Sequence, residues 1–491
     1  MPEGLRFAVR SFEIEGNLPI PRENAQEILA PYTGDAVTLD RLNSAAAALE
    51  AELTAQGYAF HRVILPEQSL EGIAKLRILP FRLANISVSG NQHFSTENVL
   101  ASLPSLRKGE PPNVAEVGRN RATANEHPSK ELEITFRKSE VADSIDADVA
   151  VKDLPLHSFF IGINNTGEPR TGNWRATLGF QHSNLWNLDH SMTATYTTSP
   201  EKTQDVKQYG LNYRMPFYSV SGALTVFYAY SDVNSGTVAN AFVVSGRGQF
   251  ASLHWKQYLT PRGAYSHSVE AGVDDRFFDN SVVFGTTQLG VDVRSRPLSL
   301  AYLGRFDRAN SVLSGSIQYV HNLRGGSDNN DAAYSGNRAS ASRNWQAVRY
   351  SLDGQWQIAP WVLAARVRGQ YAAEPLIPGE QFGMGGASSL RGLREREATG
   401  ETGVTATIEG LRPLPWEGVS AVVFVNAGKV WVRDAAAGQQ SRVFASSIGI
   451  GVRWTVARSL QLAVDGARVL DGTAVNGPGD WRVHASLVFR F

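Results

Sequence analysis

The chain of 491 residues carries 47 Lys+Arg against 47 Asp+Glu, for a formal net charge of zero, with 45 Gly, 22 Phe, 15 Tyr and no Cys. That balance lacks the basic excess that nucleic-acid binding needs, and the absence of Cys removes disulfide frameworks and thiol chemistry. No apolar run reaches the 18 or more residues of a helical membrane span, and a chain this long divides into two or more structural units.

The start, Met1 to Arg6, has no basic stretch followed by an apolar one, so any secretory signal is expected to lie outside this numbering. A chain without Cys suits passage through an oxidising periplasm, where stray thiols mispair. Phe12-Glu13-Ile14 reads as a strand, followed by a single helical stripe of Leu39, Leu42, Ala46, Leu49 and Leu53. Thr38 stands at the N-cap of that helix and Gly57 where it stops. The face bearing Leu42, Leu49 and Leu53 is expected to be core. Strand-like runs follow at His61–Leu65 and Lys75–Leu79.

The opening then recurs, with Phe12-Glu13-Ile14-Glu15-Gly16-Asn17 echoed by Ile86-Ser87-Val88-Ser89-Gly90-Asn91. Each copy places apolar residues at strand period before a Gly-Asn pair suited to a turn. The spacing predicts a duplicated α+β module at 6–80 and 81–140, then a linker at 141–155. From about Leu156 the period becomes two. Val348, Tyr350, Leu352, Gly354, Trp356 and Ile358 alternate with Arg349, Ser351, Asp353, Gln355 and Gln357, and Leu363 to Tyr371 repeats the pattern. The runs are about ten residues long, with Arg and Gln on the polar face and aromatics at the apolar ends, as tilted membrane strands require. About sixteen such segments predict an all-β, antiparallel transmembrane barrel over 156–491, closed so that no strand edge is exposed. Its last strand sets Trp481, Val483, Ala485, Leu487, Phe489 and Phe491 toward lipid, opposite Arg482, His484, Ser486, Val488 and Arg490.

One long loop, 377–400, interrupts these strands. It contains Gly385-Gly386 and Leu390-Arg391-Gly392-Leu393. These residues resemble the GG…VRG(Y/F) signature of the lumen loop in two-partner secretion transporters, the haemolysin-activator and filamentous-haemagglutinin exporters of the BamA superfamily. The resemblance extends over nearly the whole chain. Gly57-Tyr58 and Val63 to Gly72 are similar to the "GY…v.LPpQ.l..G" stretch of the family's first periplasmic POTRA domain. Phe424-Val425-Asn426-Ala427-Gly428 is similar to its F-x-D-x-G barrel strand, and the C-terminal Phe also fits.

The resemblance implies two N-terminal POTRA domains ahead of the barrel, and export of one large partner exoprotein through it, with activation of that partner a further expectation. It also implies that the loop arginine pairs with the aspartate of the F-x-D-x-G strand, a planar fork on a carboxylate. Here that aspartate is Asn426, on the same strand face as Phe424. Asp465 or Glu409 is therefore expected to supply the missing charge, to be tested by a charge swap between Arg391 and Asp465. Leu390 and Leu393 replace the family's Val and aromatic, which implies altered packing at the loop tip. The partner's N-terminal secretion domain is expected to meet an edge strand of the second module, Leu132, Ile134 and Phe136, or the helical grooves alongside it. Phe489 and Phe491 are expected to carry the signal read by the barrel assembly machinery, with outer-membrane lipid around the wall.

No cofactor or metal site is expected, since the sequence has no GxxxxGK[ST], no HExxH and no GxSxG. The ten His, His182, His190 and His484 among them, are scattered, and an enzyme is not expected. A BamA-type assembly factor and a passive porin are the rivals; the first would carry more N-terminal modules, the second would need none.

Overall fold

The computed structural model describes residues 6–491 except 70, 234–235, 239–241, 245–246, 280–282, 285–286, 289–290 and 458. The Met1–Leu5 start and Leu70 of the Val63–Gly72 stretch thus lie outside the described residues. The chain divides into two compact units, Met1–Pro155 with Phe217–Ser221, and Leu156–Pro216 with Gly222–Phe491.

In the first unit, strand β1 (Arg6–Glu15) leads through α1 (Arg22–Leu29) and β2 (Gly34–Thr38) to α2 (Leu39–Ala55), then β3 (His61–Ile64) and β4 (Gly72–Pro80). The sheet order is β2-β1-β4-β3. Helix α2 starts where the sequence predicts: Thr38 Oγ1 accepts the Arg41 N–H at 3.3 Å, satisfying one orphan donor of the first turn. Leu42, Leu49 and Leu53 are wholly buried, so that face is core. Leu39 departs from the stripe and is 55% exposed, because it lies on the first turn at the stripe's edge; Ala45 is buried instead.

The second module runs β5 (Arg82–Ser89), α3 (Thr96–Ala101), α4 (Val114–Ala124), β6 (Lys130–Lys138) and β7 (Ser144–Asp153). Its sheet order is β5-β7-β6. This corrects the predicted boundary: residues 141–155 are not a linker but contain the central strand of the module. Ile145, Ala147, Val149 and Val151 point into the core at period two. Small residues and interleaved Asp weaken the apolar signal there. The six-residue echo is a structural repeat. Gly16 (φ +96°) and Gly90 (φ +82°) each follow a strand paired in parallel, and a Cβ would lie 2.8 Å from the Ile78 carbonyl oxygen and 2.3 Å from that of Val151.

In the second unit the described strands close a barrel of sixteen staves. They are β8 (His157–Asn164), β9 (Arg175–Leu185), β10 (His190–Thr198), β11 (Gln208–Phe217), β12 (Gly222–Ser231), β13 (Gly248–Tyr258), β14 (Tyr265–Phe278) and β15. β15 is in two pieces, Val293–Ser295 and Pro297–Arg308, both paired with β14. The rest are β16 (Ser311–Asn322), β17 (Gln346–Ile358), β18 (Trp361–Ala372), β19 (Thr402–Pro413), β20 (Val419–Trp431), β21 (Arg442–Val456), β22 (Leu460–Asp471) and β23 (Trp481–Arg490). Neighbours are antiparallel, and β23 returns to β8 over Ser486–Arg490. Phe159 and Phe491 complete that seam with N–H···O bonds of 2.8 and 2.9 Å in both directions.

The expected alternation is present. Leu300, Ile317, Leu352, Ile408, Val423, Ile450 and Val483 form an exposed outer band, while Gln370, Thr407, Asn426, Ser447, Asp465 and His484 are buried on the inner face. Short turns join the strands at the end where the barrel begins, and the longer connections, 377–400 among them, lie at the other end.

Candidate functional site

The loop between β18 and β19 folds back inside the wall. Phe382–Met384 pairs antiparallel with Ala398–Gly400, so the loop descends as a hairpin whose tip carries Arg391. Gly385, Gly386 and Gly392 all take positive φ. At Gly385 (φ +120°) a Cβ would stand 2.3 Å from the Arg394 carbonyl oxygen, so only glycine permits that close turn. Leu390 and Leu393 are wholly buried with Met384, Val430, Ala445 and Val469. Two leucines thus fill the tip, and Gly428 leaves the space taken by the Met384 thioether.

Arg391 is 3% exposed and is held on several sides. Its Nη1 lies 2.6 Å from Glu409 Oε1 and 3.2 Å from Asp465 Oδ2, and its Nη2 donates to Asn426 Oδ1 at 3.0 Å. The guanidinium sits 3.4 Å above the Phe424 ring, a cation–π contact. Asn426 is fixed in this role, since its amide donates to Ser447 Oγ at 2.9 Å and its oxygen also accepts from Thr407 at 3.1 Å. The backbone N–H of Gly392 donates to His484 Nε2 at 3.0 Å, pinning the residue after the arginine.

The geometry therefore brings together Arg391, Phe424, Asn426, Glu409 and Asp465, which the sequence lists as loop and wall partners. Both carboxylates contact Arg391 where Asn426 supplies no charge. Sequence reasoning missed Arg453, which binds Asp465 through two bonds of 2.6 and 2.8 Å. Arg391 and Arg453 thus face Glu409 and Asp465, two charges against two, and a neutral Asn426 keeps that balance. The inward parity of Arg453 on β21, opposite exposed Val452 and Trp454, was the available signal. His484 lies in the lumen as a hydrogen-bond acceptor to the loop.

The remaining candidates lie elsewhere. Phe489 and Phe491 are exposed on the outer face at the seam, with Phe491 stacked 5.9 Å from Phe159. Leu132, Ile134 and Phe136 lie on β6, at the edge of its sheet. Leu132 is 1% exposed and serves the module's interior, whereas Phe136 is half-buried and meets the ring of Phe60, a residue of the first module, at 4.9 Å. What β6 offers outward is its main chain beyond Leu132, whose own N–H and C=O are taken by the Asn125 side chain at 2.7 and 3.0 Å. Among the described residues no cluster of three or more His, Asp or Glu is arranged to hold a metal.

The family described as "Haemolysin secretion/activation protein ShlB/FhaC/HecB" matches residues 145–454, and "POTRA domain, ShlB-type" matches residues 7–80. The chain belongs to this haemolysin secretion/activation family. "Outer membrane transporter CdiB-2" of Burkholderia pseudomallei is 21% identical, over 92% of this chain and 78% of its own length. "Heme/hemopexin transporter protein HuxB" of Haemophilus influenzae is 21% identical, over 96% of this chain and 86% of its own. The structure of CdiB from Escherichia coli superposes with a TM-score of 0.77 at 16% identity, covering 100% of this chain and 91% of that one, and so shares the fold. This member of the family is an outer-membrane transporter of two-partner secretion, with its POTRA modules in the periplasm and its barrel in the outer membrane.

Proposed function

We propose that the lumen loop is the gate of this transporter, and that one large partner exoprotein displaces it in transit. The observation that carries this reading is the Arg391 clasp. It is a buried cation on a loop tip, held by polar groups from several different staves, any of which water or a passing chain can replace. The partner's N-terminal secretion domain is taken to add a strand to the edge of β6 beyond Leu132, along Ile134 and Phe136, by main-chain hydrogen bonding. Folding of the partner outside the cell then opposes its return.

The transporter is proposed to have no enzymatic activity of its own and no cofactor. Lipid surrounds the exposed apolar band, and the barrel assembly machinery reads the terminal Phe491. Deleting residues 6–155 tests the division of labour; the cut at 140 that sequence alone suggests would split the β5-β7-β6 sheet. The deleted barrel is expected to insert and to secrete nothing. Secretion at the full level by that variant refutes capture by the modules, and is what a passive conduit would show.

A further inference from the structure

The loop is held at its base as well as at its tip, by groups that neither motif contains. Glu380 precedes the loop hairpin and Glu401 follows it, and both side chains are completely buried. Glu380 Oε2 accepts from Arg276 on β14 at 2.8 Å and from Arg349 on β17 at 3.0 Å. Glu401 accepts from the Arg338 side chain, from Gln381 Nε2 at 2.7 Å and from the Arg433 backbone N–H at 2.6 Å. Gln370 on β18 joins the two ends of the loop, its Nε2 donating to the Glu380 carbonyl at 3.0 Å and the Glu401 carbonyl at 3.1 Å. Arg396 adds a bond from Nη2 to the Gln381 carbonyl at 3.0 Å.

The base and tip hold arcs of the wall that meet only at β20, where Glu401 reaches the Arg433 N–H just beyond the strand. The stave partners of the base are on β14, β17 and β18; those of the tip are on β19, β20, β22 and β23. Between the loop and the first arc lies a cavity of about 640 Å³, lined by Ser388, Ser389 and Arg396 of the loop and by Ser316, Gln318 and Arg368 of the wall. Arg276, Arg349, Gln370 and Glu380 of the base also line this cavity, so the difference lies in the carboxylates. Glu380 and Glu401 are completely buried, and losing a partner leaves a buried charge unpaired, whereas Glu409 at the tip is a quarter exposed and can take water as Arg391 leaves.

We propose that Glu380, Glu401 and Gln370 are positioning residues that form a fixed pivot for the loop. The tip swings about it toward β16–β18, and the passage opens along β19–β23. This rests on the gate reading above. The absence of native Cys makes the test clean. Leu390→Cys reports on the tip and Ile377→Cys on the base, both positions being wholly buried at rest. Labelling by a membrane-impermeant maleimide is followed in cells with and without export of the partner.

During export, Leu390→Cys is expected to label at least about tenfold faster, and Ile377→Cys at an unchanged rate. In the Glu380→Ala background Ile377→Cys becomes labelled and secretion falls, while Glu380→Gln, which keeps the shape, restores part of the protection. Heat-modifiable gel mobility of each variant reports whether the barrel has folded. Equal acceleration at both positions overturns the pivot and leaves the gate reading standing. No acceleration at either position overturns both.

Discussion

Loss of Arg391 should release the loop tip, and the size of the effect follows from its surroundings. The guanidinium has two carboxylate partners, one amide oxygen and a ring face, at 3% exposure. Breaking a buried ion pair by removing one partner costs about 3–5 kcal/mol. Since 1.4 kcal/mol is a factor of ten, Arg391→Ala should shift the equilibrium toward the released loop by roughly 10²- to 4 × 10³-fold. A charge swap with Asp465 is not a clean test, because an arginine at 465 would face Arg453, which Asp465 now binds. The informative design is a double-mutant cycle of Arg391→Ala and Asp465→Ala, read by open-state dwell times of the purified protein in planar bilayers. A coupling energy of about 1–3 kcal/mol is expected for residues in one network. Effects that add within about 0.5 kcal/mol would show that the two residues act independently, and the clasp would not exist as a unit.

Further outcomes follow from other parts of the chain. Deletion of Phe491 removes the stacked partner of Phe159 and both seam hydrogen bonds at that residue. It should lower the yield of inserted barrel in cells more than the melting temperature of barrel already assembled, and equal losses would contradict a signalling role. Gly90→Ala forces a Cβ to 2.3 Å from a backbone oxygen at φ +82°, so thermal unfolding should show the periplasmic unit destabilised by more than the ~1 kcal/mol typical of a point substitution. Burial and the nearby Arg82 hold the His61 imidazole below its ordinary pKa. The folded unit therefore resists protonation that the unfolded chain accepts: stability is full above about pH 6.5 and declines as pH falls below it. His61→Leu should flatten that decline in unfolding measured from pH 8 to 5.

Much of this was legible in the residues because period two survives wherever one face meets lipid and the other a wet lumen. The parity of Phe424 and Asn426 put both on the inner face, and Arg391 had to meet whatever carboxylates shared that face. Register across staves was not legible. That Asp465 lies within reach of Arg391 depends on β20, β21 and β22 being paired as they are, with Asn426 opposite Ser447 and Gly451 opposite Asp465. The base of the loop escaped notice for a related reason. Glu380 and Glu401 flank a hairpin of only three residues a side, and their partners come from Arg276 to Arg433, a separation no local pattern encodes. Strand β7 was missed because its inward row, Ile145, Ala147, Val149 and Val151, is short-sided and interrupted by Asp146, Asp148 and Lys152.

The same contacts bear on what opens the gate. A barrel of sixteen staves is wider than its own side chains can fill, so closure at rest falls to the loop. Polar groups alone would let thermal motion release it, but Met384, Leu390 and Leu393 are wholly buried beside the wall. Exposing each would cost about 1.5–3 kcal/mol in addition to the clasp. With both costs combined, spontaneous release should be populated well below one part in 10⁴. The partner must therefore contribute interactions that only the displaced state makes, because a ligand shifts an equilibrium only by its differential affinity for the two states. A segment that replaces the leucines on Val430, Ala445 and Val469 with its own apolar side chains would do so. Leu390→Asn together with Leu393→Asn should then raise basal conductance in bilayers without partner while lowering the partner's ability to raise it further. Basal conductance unchanged by both substitutions would mean that the ion pairs alone hold the gate.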